Sequence, residues 1–222
     1  NIVLVVMSGR PLDLSWEDQN IPAIVQAWHL GSKSGDAIAQ VLYGDYNPSG
    51  KLTMSFPRNV GQVPVYYNFK NTGRPSTSIE QVTNSGYADV ENSPLYSFGY
   101  GLSYTEFKYS DFEISSSTMT KDSKINASIR VTNTGNYKGE EVVQLYLRDI
   151  VGSIARPMKE LKGFEKIELN PGESKVVNFE IENSLLEFYS YNNIWESEPG
   201  KFHVFIGADS NVRDHKEFYL TD

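Results

Sequence analysis

Three histidines, 28 carboxylates and no cysteine set the chemical repertoire of this 222-residue sequence. Without cysteine there is no disulfide, no thiolate nucleophile and no thiolate metal site. His29, His203 and His215 are far apart, and none has a helical i+4 partner, so an H-E-x-x-H zinc pair is absent. His29 lies just beyond an apolar run, where α/β folds place ligand sites. A polar site contact is one reading, and a hydrogen-bonded loop histidine is weighted about three to one above it. His203 falls on the polar side of an alternating strand and is expected at the surface. His215, within Arg213-Asp214-His215-Lys216, is expected to be solvated.

Hydrolysis of a glycosidic bond with retention needs two carboxyl groups about 5–5.5 Å apart. Spacing nominates no such pair. Glu17 and Asp18 suit a helix start, where the dipole favours them. Glu140, Glu141, Glu160 and Glu165 flank expected strands and read as solvated charges. A G-x-S-x-G nucleophile elbow is missing. Gly44-Asp45-Tyr46-Asn47-Pro48-Ser49-Gly50-Lys51 has the outline of a phosphate loop but fails as one. Five residues separate its glycines instead of four, Leu52 replaces the metal-binding hydroxyl residue, and the segment follows a helix instead of opening one. Gly31–Gly35 does precede a helix, and a plain βα turn is favoured there over an anion site. Asn126-Ala127-Ser128 is the one formal glycosylation acceptor, and it lies inside an expected strand.

The elements that would position these groups fall into three stretches. Residues 2–7 form a β-branched run, as in a strand covered on both faces. Ser15-Trp16-Glu17-Asp18 reads as a capping box opening a short helix. Residues 23–28 form a second strand of buried type. A helix over Asp36–Tyr43 carries Ala37, Ile38, Val41 and Leu42 on one stripe, with Gly44 as its C′ residue. This order predicts a βαβ unit with parallel strands.

Residues 45–106 change character, punctuated by Pro48, Pro57, Pro64, Pro75 and Pro94. They read as an extended segment wrapped over a surface. From Phe107 onward the pattern alternates. Ile125, Ala127, Ile129 and Val131 point one way, as do Val143, Leu145 and Leu147, then Val177, Phe179 and Ile181, then Phe202, Val204 and Ile206. Turn signals separate these runs, notably Asn170-Pro171-Gly172. About seven short strands at this spacing predict an antiparallel immunoglobulin-like, fibronectin type III-like sandwich. A net charge of −8 without clustered lysine or arginine argues against nucleic acid and anionic membrane as partners. No apolar run reaches the length of a membrane-spanning helix.

Long motifs now carry a resemblance. Trp28-His29-Leu30-Gly31 and Ala37-Ile38-Ala39-Gln40-Val41-Leu42-Tyr43-Gly44-Asp45-Tyr46-Asn47-Pro48-Ser49-Gly50-Lys51-Leu52 resemble a signature of glycoside hydrolase family 3 β-glucosidases. Pro94-Leu95-Tyr96-Ser97-Phe98-Gly99-Tyr100-Gly101-Leu102-Ser103-Tyr104-Thr105 is similar to that family's bridge into its third domain. Arg156-Pro157-Met158-Lys159-Glu160-Leu161-Lys162-Gly163-Phe164, Pro199-Gly200-Lys201-Phe202 and Ile206-Gly207 match later strands. Ser97 stands where the family has Pro, and Gly86 where close relatives carry Arg.

The resemblance implies an organisation. Residues 1–60 are the C-terminal part of the family's α/β sandwich domain, 61–106 an extended linker, and 107–222 a fibronectin type III-like domain. It also implies a retaining, exo-acting β-glucosidase acting on oligosaccharides or β-glucosides, bacterial, and periplasmic or secreted. Both family carboxylates, the S-D-W-type nucleophile and the acid/base Glu, would lie before Asn1. The expected site is therefore empty of catalytic, cofactor-binding and metal-binding residues, with no cofactor, and these residues scaffold without turning over substrate. A homodimer is expected, with the Arg156 loop, rich in Ile150, Val151 and Ile154, reaching a neighbouring subunit. The alternative is a stand-alone carbohydrate-binding or structural sandwich module.

Overall fold

The computed structural model describes residues 2–75 and 85–222. Strand β1 (Val3–Val6) pairs in parallel with β2 (Ala23–Gln26), and helix α1 (Ser15–Asn20) connects them. The capping box does not form. The residue preceding α1 is Leu14, which has no side-chain cap bond, and Ser15 Oγ instead donates to the Arg58 carbonyl at 2.7 Å. β2 ends where Trp28 adopts a φ of 51°, a left-handed conformation costly for a bulky residue.

Helix α2 (Ser34–Tyr43) starts two residues earlier than expected. It stops at Gly44, whose φ of 81° lets its N–H close on the Val41 carbonyl. Its apolar stripe is largely uncovered, with Ile38 and Val41 half-buried and Ala37 and Leu42 exposed. Val6, Leu14 and Phe56 form a small core, packed by Leu4, Ile24, Trp28, Leu52, Leu95 and Tyr96. Leu95 and Tyr96 come from far along the chain. They reach this core because Phe56 N donates to the Tyr96 carbonyl and Leu95 N to the Phe56 carbonyl, both at 2.8 Å.

Between the single 3-10 turn at Val60–Gln62 and Phe107, the described residues carry isolated bridges but no strand or helix, and residues 76–84 of the expected linker lie outside the described residues. Beyond it stand eight strands: β3 (Phe107–Ile114), β4 (Thr118–Thr120), β5 (Ile125–Asn133), β6 (Gly139–Asp149), β7 (Glu160–Leu169), β8 (Ser174–Ile181), β11 (Gly200–Gly207) and β12 (Lys216–Thr221). A short turn of helix, α3 (Asn183–Leu186), and a two-stranded ribbon, β9 (Phe188–Tyr189) with β10 (Trp195–Glu196), link β8 to β11.

One sheet runs β4-β12-β11-β6-β7 and the other β3-β5-β8. Every neighbouring pair in these sheets is antiparallel except β4 with β12, which is parallel. That pair departs from the purely antiparallel expectation. The inward residues follow the alternation: Ile125, Ala127, Ile129 and Val131 meet Val143, Leu145, Leu147, Phe202, Val204 and Phe218 in one core.

Alternation fails as a guide on the outer face of β6. Gln144 and Tyr146 do point outward from the sandwich core, yet both are buried. The linker lies over them.

Candidate functional site: the seam between linker and sandwich

Gly44, Tyr46, Asn47, Ser49 and Lys51 of the Gly44–Lys51 segment each have a structural task. With α2 capped by Gly44, the chain turns toward β6. Asn47 Nδ2 donates to the Lys138 carbonyl at 3.0 Å, and its Oδ1 accepts from Ser103 Oγ and Tyr104 N at 2.8 Å each. An asparagine is suited to this role because one planar amide offers donors and acceptor together. Tyr46 OH and Ser49 Oγ both donate to Glu140 Oε2, which also pairs with Lys166 at 2.8 Å. The Lys166 and Tyr46 hydrogen bonds hold the Glu140 carboxyl below its usual range.

Lys51 then inserts beneath the linker. Its Nζ lies 2.9 Å from Glu141 Oε1, with the two side chains only 12% and 6% exposed. The Gly101 carbonyl and Tyr109 OH complete the network, at 3.2 Å from Lys51 Nζ and Glu141 Oε1 respectively. Burying two charges is tolerable only when such extra bonds satisfy them. Burial, then the adjacent Glu141 charge, drives the Tyr109 phenol far above its ordinary pKa. Gly101 is needed for close approach, since a Cβ there would sit 2.5 Å from the Gly50 carbonyl oxygen.

The second half of the seam follows the outer face of β6 and β7. Gln144 Nε2 donates to the carbonyls of Gly99 and Ala208, and Tyr146 OH donates to Gln144 Oε1 at 2.6 Å. Gly99 has a φ of 82°, and any Cβ on it would strike Gln144. Tyr67 stacks on Phe98 at 4.2 Å and meets Tyr146 edge-on at 6.1 Å. Its hydroxyl accepts from Leu161 N at 3.2 Å. Met158 N donates to the Phe69 carbonyl and Ser210 N to the Phe98 carbonyl. The linker therefore acts as an extra layer on the five-stranded sheet.

The residues singled out from sequence scatter around this seam. Glu141 is the clear correction among the carboxylates: it is a buried ion-pair partner, not a solvated charge. Glu160 pairs with Arg156 at 2.9 Å and Glu165 with Lys175 at 2.9 Å. Asp18 accepts from Tyr96 OH at 2.6 Å. Arg156 does not reach outward. It is pinned between Asp149 (3.4 Å) and Glu160, with its guanidinium 4.1 Å from the centroid of the Phe188 ring. Desolvation in this nest raises the Asp149 carboxyl, and Arg156 opposes that shift. Val151, at the tip of the same loop, is exposed.

His29 is exposed at the C-terminal ends of β1 and β2, against Gly9, where a Cβ would lie 2.9 Å from its Nε2. His215 is exposed, as expected, whereas His203, expected at the surface, is only 16% exposed in its side chain. The two rings, far apart in sequence, stack at 4.1 Å. Burial, then His215, holds the His203 imidazole below its ordinary pKa. Strand pairing brings these two together across 12 positions, which no local motif signals.

Comparison with known proteins gives this arrangement its family. Residues 1–104 match the glycosyl hydrolase family 3 C-terminal domain, and residues 141–210 match the fibronectin type III-like domain. The chain carries a family 3 C-terminal domain followed by a fibronectin type III-like domain. It is 55% identical over 210 residues to a periplasmic β-glucosidase of Salmonella typhimurium, covering 94% of this chain and 28% of that protein. A β-xylosidase of Formosa agariphila is 41% identical over 224 residues, covering 99% of this chain and 30% of that one. The crystal structure of a Listeria innocua β-glucosidase in complex with glucose superposes with a TM-score of 0.92 at 39% identity, covering 99% of this chain and 31% of that one. This chain thus spans under a third of the length of these relatives. In the family 3 C-terminal domain seen here, the Gly44–Lys51 signature is a docking latch.

Proposed function

We propose that this chain scaffolds a retaining, exo-acting β-glucosidase, hydrolysing terminal β-linked glucosyl residues of oligosaccharides or β-glucosides. Residues 1–60 form part of its α/β sandwich domain, 61–106 the linker, and 107–222 the fibronectin type III-like domain. The catalytic carboxylates belong to other polypeptide. The observation that carries this reading is the buried Lys51–Glu141 pair, which ties the signature segment of one domain to a core strand of the other. A segment that spends Tyr46, Asn47, Ser49 and Lys51 on bonds to the linker and sandwich is suited to positioning the sandwich domain.

The uncovered apolar edge of β1 and the exposed stripe of α2 support an α/β domain of which these residues form only a part. The periplasmic relative supports a periplasmic or secreted protein, and assembly as a homodimer belongs to the same reading. Among the described residues no helix is long and apolar enough to cross a membrane.

The test is turnover of a nitrophenyl β-glucoside. The purified 222 residues should give none, and activity at the level of a complete glycosidase would end the scaffold reading. A second reading, a stand-alone carbohydrate-binding module, is favoured by one feature. Tyr189 and Trp195 meet edge-on on the β9–β10 ribbon, with Tyr191 beside them, all exposed as a sugar-stacking surface would require. Calorimetry with cello-oligosaccharides on the wild type and on Trp195→Ala decides between the two: binding lost with the indole favours the module.

A further inference from the structure

His203, His215 and Glu217 gather on the outer face of the five-stranded sheet, next to Phe205, which pairs across with Tyr146 of the seam. His203 on β11 lies directly opposite Glu217 on β12. His215 sits two residues before Glu217, so the strand period of two puts it on the same face. The ligand atoms of all three lie within 4.8 Å of one another. Glu217 Oε1 is 3.0 Å from His203 Nε2 and 3.9 Å from His215 Nε2. A tetrahedral ion bound at about 2.0–2.1 Å would separate its ligand atoms by about 3.3 Å. The two carboxylate–imidazole spacings lie on either side of that, and the imidazoles, stacked at 4.1 Å and 17°, must tilt for their lone pairs to converge on it.

The surroundings prepare the site in three ways. His215 Nδ1 lies 3.2 Å from the Arg213 carbonyl, which can only accept, so Nδ1 carries the proton and Nε2 presents its lone pair. That carbonyl-histidine arrangement is the usual outer support of a metal-binding imidazole. Phe205 packs against both rings, at 5.3 Å from His215 and 6.2 Å from His203, and gives them a stiff apolar backing. Lys201 binds Glu217 Oε2 at 2.8 Å, which orients the carboxylate and leaves Oε1 facing the histidines. Arg148, paired across β6–β11 with His203, and Lys201 add positive charge nearby and work against a cation.

We propose that His203 Nε2, His215 Nε2 and Glu217 Oε1 form a binding site for a divalent first-row transition ion, zinc by donor type, with a fourth position open to water. Two imidazoles and one carboxylate suit zinc and not calcium or magnesium, which take oxygen donors. The ion would staple β11 to β12 and to the turn preceding β12.

Zinc titration by calorimetry, on tag-free protein, tests this. One ion per chain is expected. His203→Ala, His215→Ala and Glu217→Gln should each weaken binding about 10-fold or more, since even outer-support losses cost that much. His29→Ala, far from the site, should leave binding unchanged. Cobalt should give the intense visible bands of a four-coordinate ion, abolished by the paired histidine substitution. The imidazole resonances of His203 and His215 in the unaltered protein should move on zinc addition while those of His29 stay, a readout that needs no variant to fold. Absence of binding by the wild type at submillimolar zinc, binding that survives the paired substitution, or movement of His29 alone would overturn the site.

Discussion

Val3 in β1 and Val204 in β11 both sit in apolar runs, yet Val3 is 45% exposed and Val204 fully buried. The difference follows from what each strand meets. β11 lies between β6 and β12 and over a second sheet, so its inward side chains join a core of 19 buried residues. β1 has one partner strand and a core of three. Sequence sets how apolar a strand is, and the number of layers around it sets how much of that becomes buried. The sandwich has a core of its own. The N-terminal region leans on it through the linker and the Lys51–Glu141 pair.

The largest expected effect lies in the sandwich core. Phe218→Ala removes a fully buried ring stacked on Phe202 at 5.3 Å. It should cost about 3–5 kcal/mol in denaturant unfolding. A loss under 1 kcal/mol would show that the core is looser than its packing implies. The seam comes next. Glu141→Ala strands the Lys51 ammonium and should cost about 3 kcal/mol. Lys51→Met combined with Glu141→Leu should recover most of that loss, since neither charge then remains buried. Failure of the pair to recover would place the cost in packing.

A pH effect of intermediate size belongs to the buried phenols. Burial raises Tyr146 and Tyr109 far above their ordinary value, so both stay protonated in the fold while the unfolded chain ionises near pH 10. Their contribution is fully present below about pH 10 and is lost as pH rises toward the folded values. Stability should fall by about 1.4 kcal/mol per pH unit for Tyr146 above that point. Tyr146→Phe should flatten the alkaline decline relative to the wild type. The smallest effect is expected at Val3→Ser, within about 0.5 kcal/mol. A large loss there would mean that β1 is better covered in solution than its exposure indicates.

Much of the fold was legible because it obeys local rules. The alternation in β5, β6, β8 and β11 marked the core face, Gly44 marked the end of α2, and the prolines marked the linker. What stayed hidden depends on distant partners. Gln144, Tyr146 and Arg148 read as a polar outer face, and nothing in β6 itself signals that Tyr67 and Gly99 will cover two of them. Ser15 read as a cap because its spacing to the carboxylates was right, but the Arg58 carbonyl competed for its hydroxyl. The loop of Arg156 read as reaching a neighbour because of its proline and apolar residues, and nothing in that loop signals that Asp149 and Glu160, at its two ends, enclose the guanidinium. The seam's motif was recognised by resemblance, while its role as a latch required the positions of Lys138, Glu140 and Glu141.

The placement of β12 bears on how the polypeptide leaves the ribosome. It is the last strand of this sequence, yet it occupies an interior position between β4 and β11. Until those residues emerge, β11 presents a long bare edge carrying Phe202, Val204 and Ile206, the kind of surface that recruits stray strands. Completion of the sheet therefore waits for Lys216–Thr221, and a nascent chain stalled before Lys216 would expose its stickiest edge to the cell.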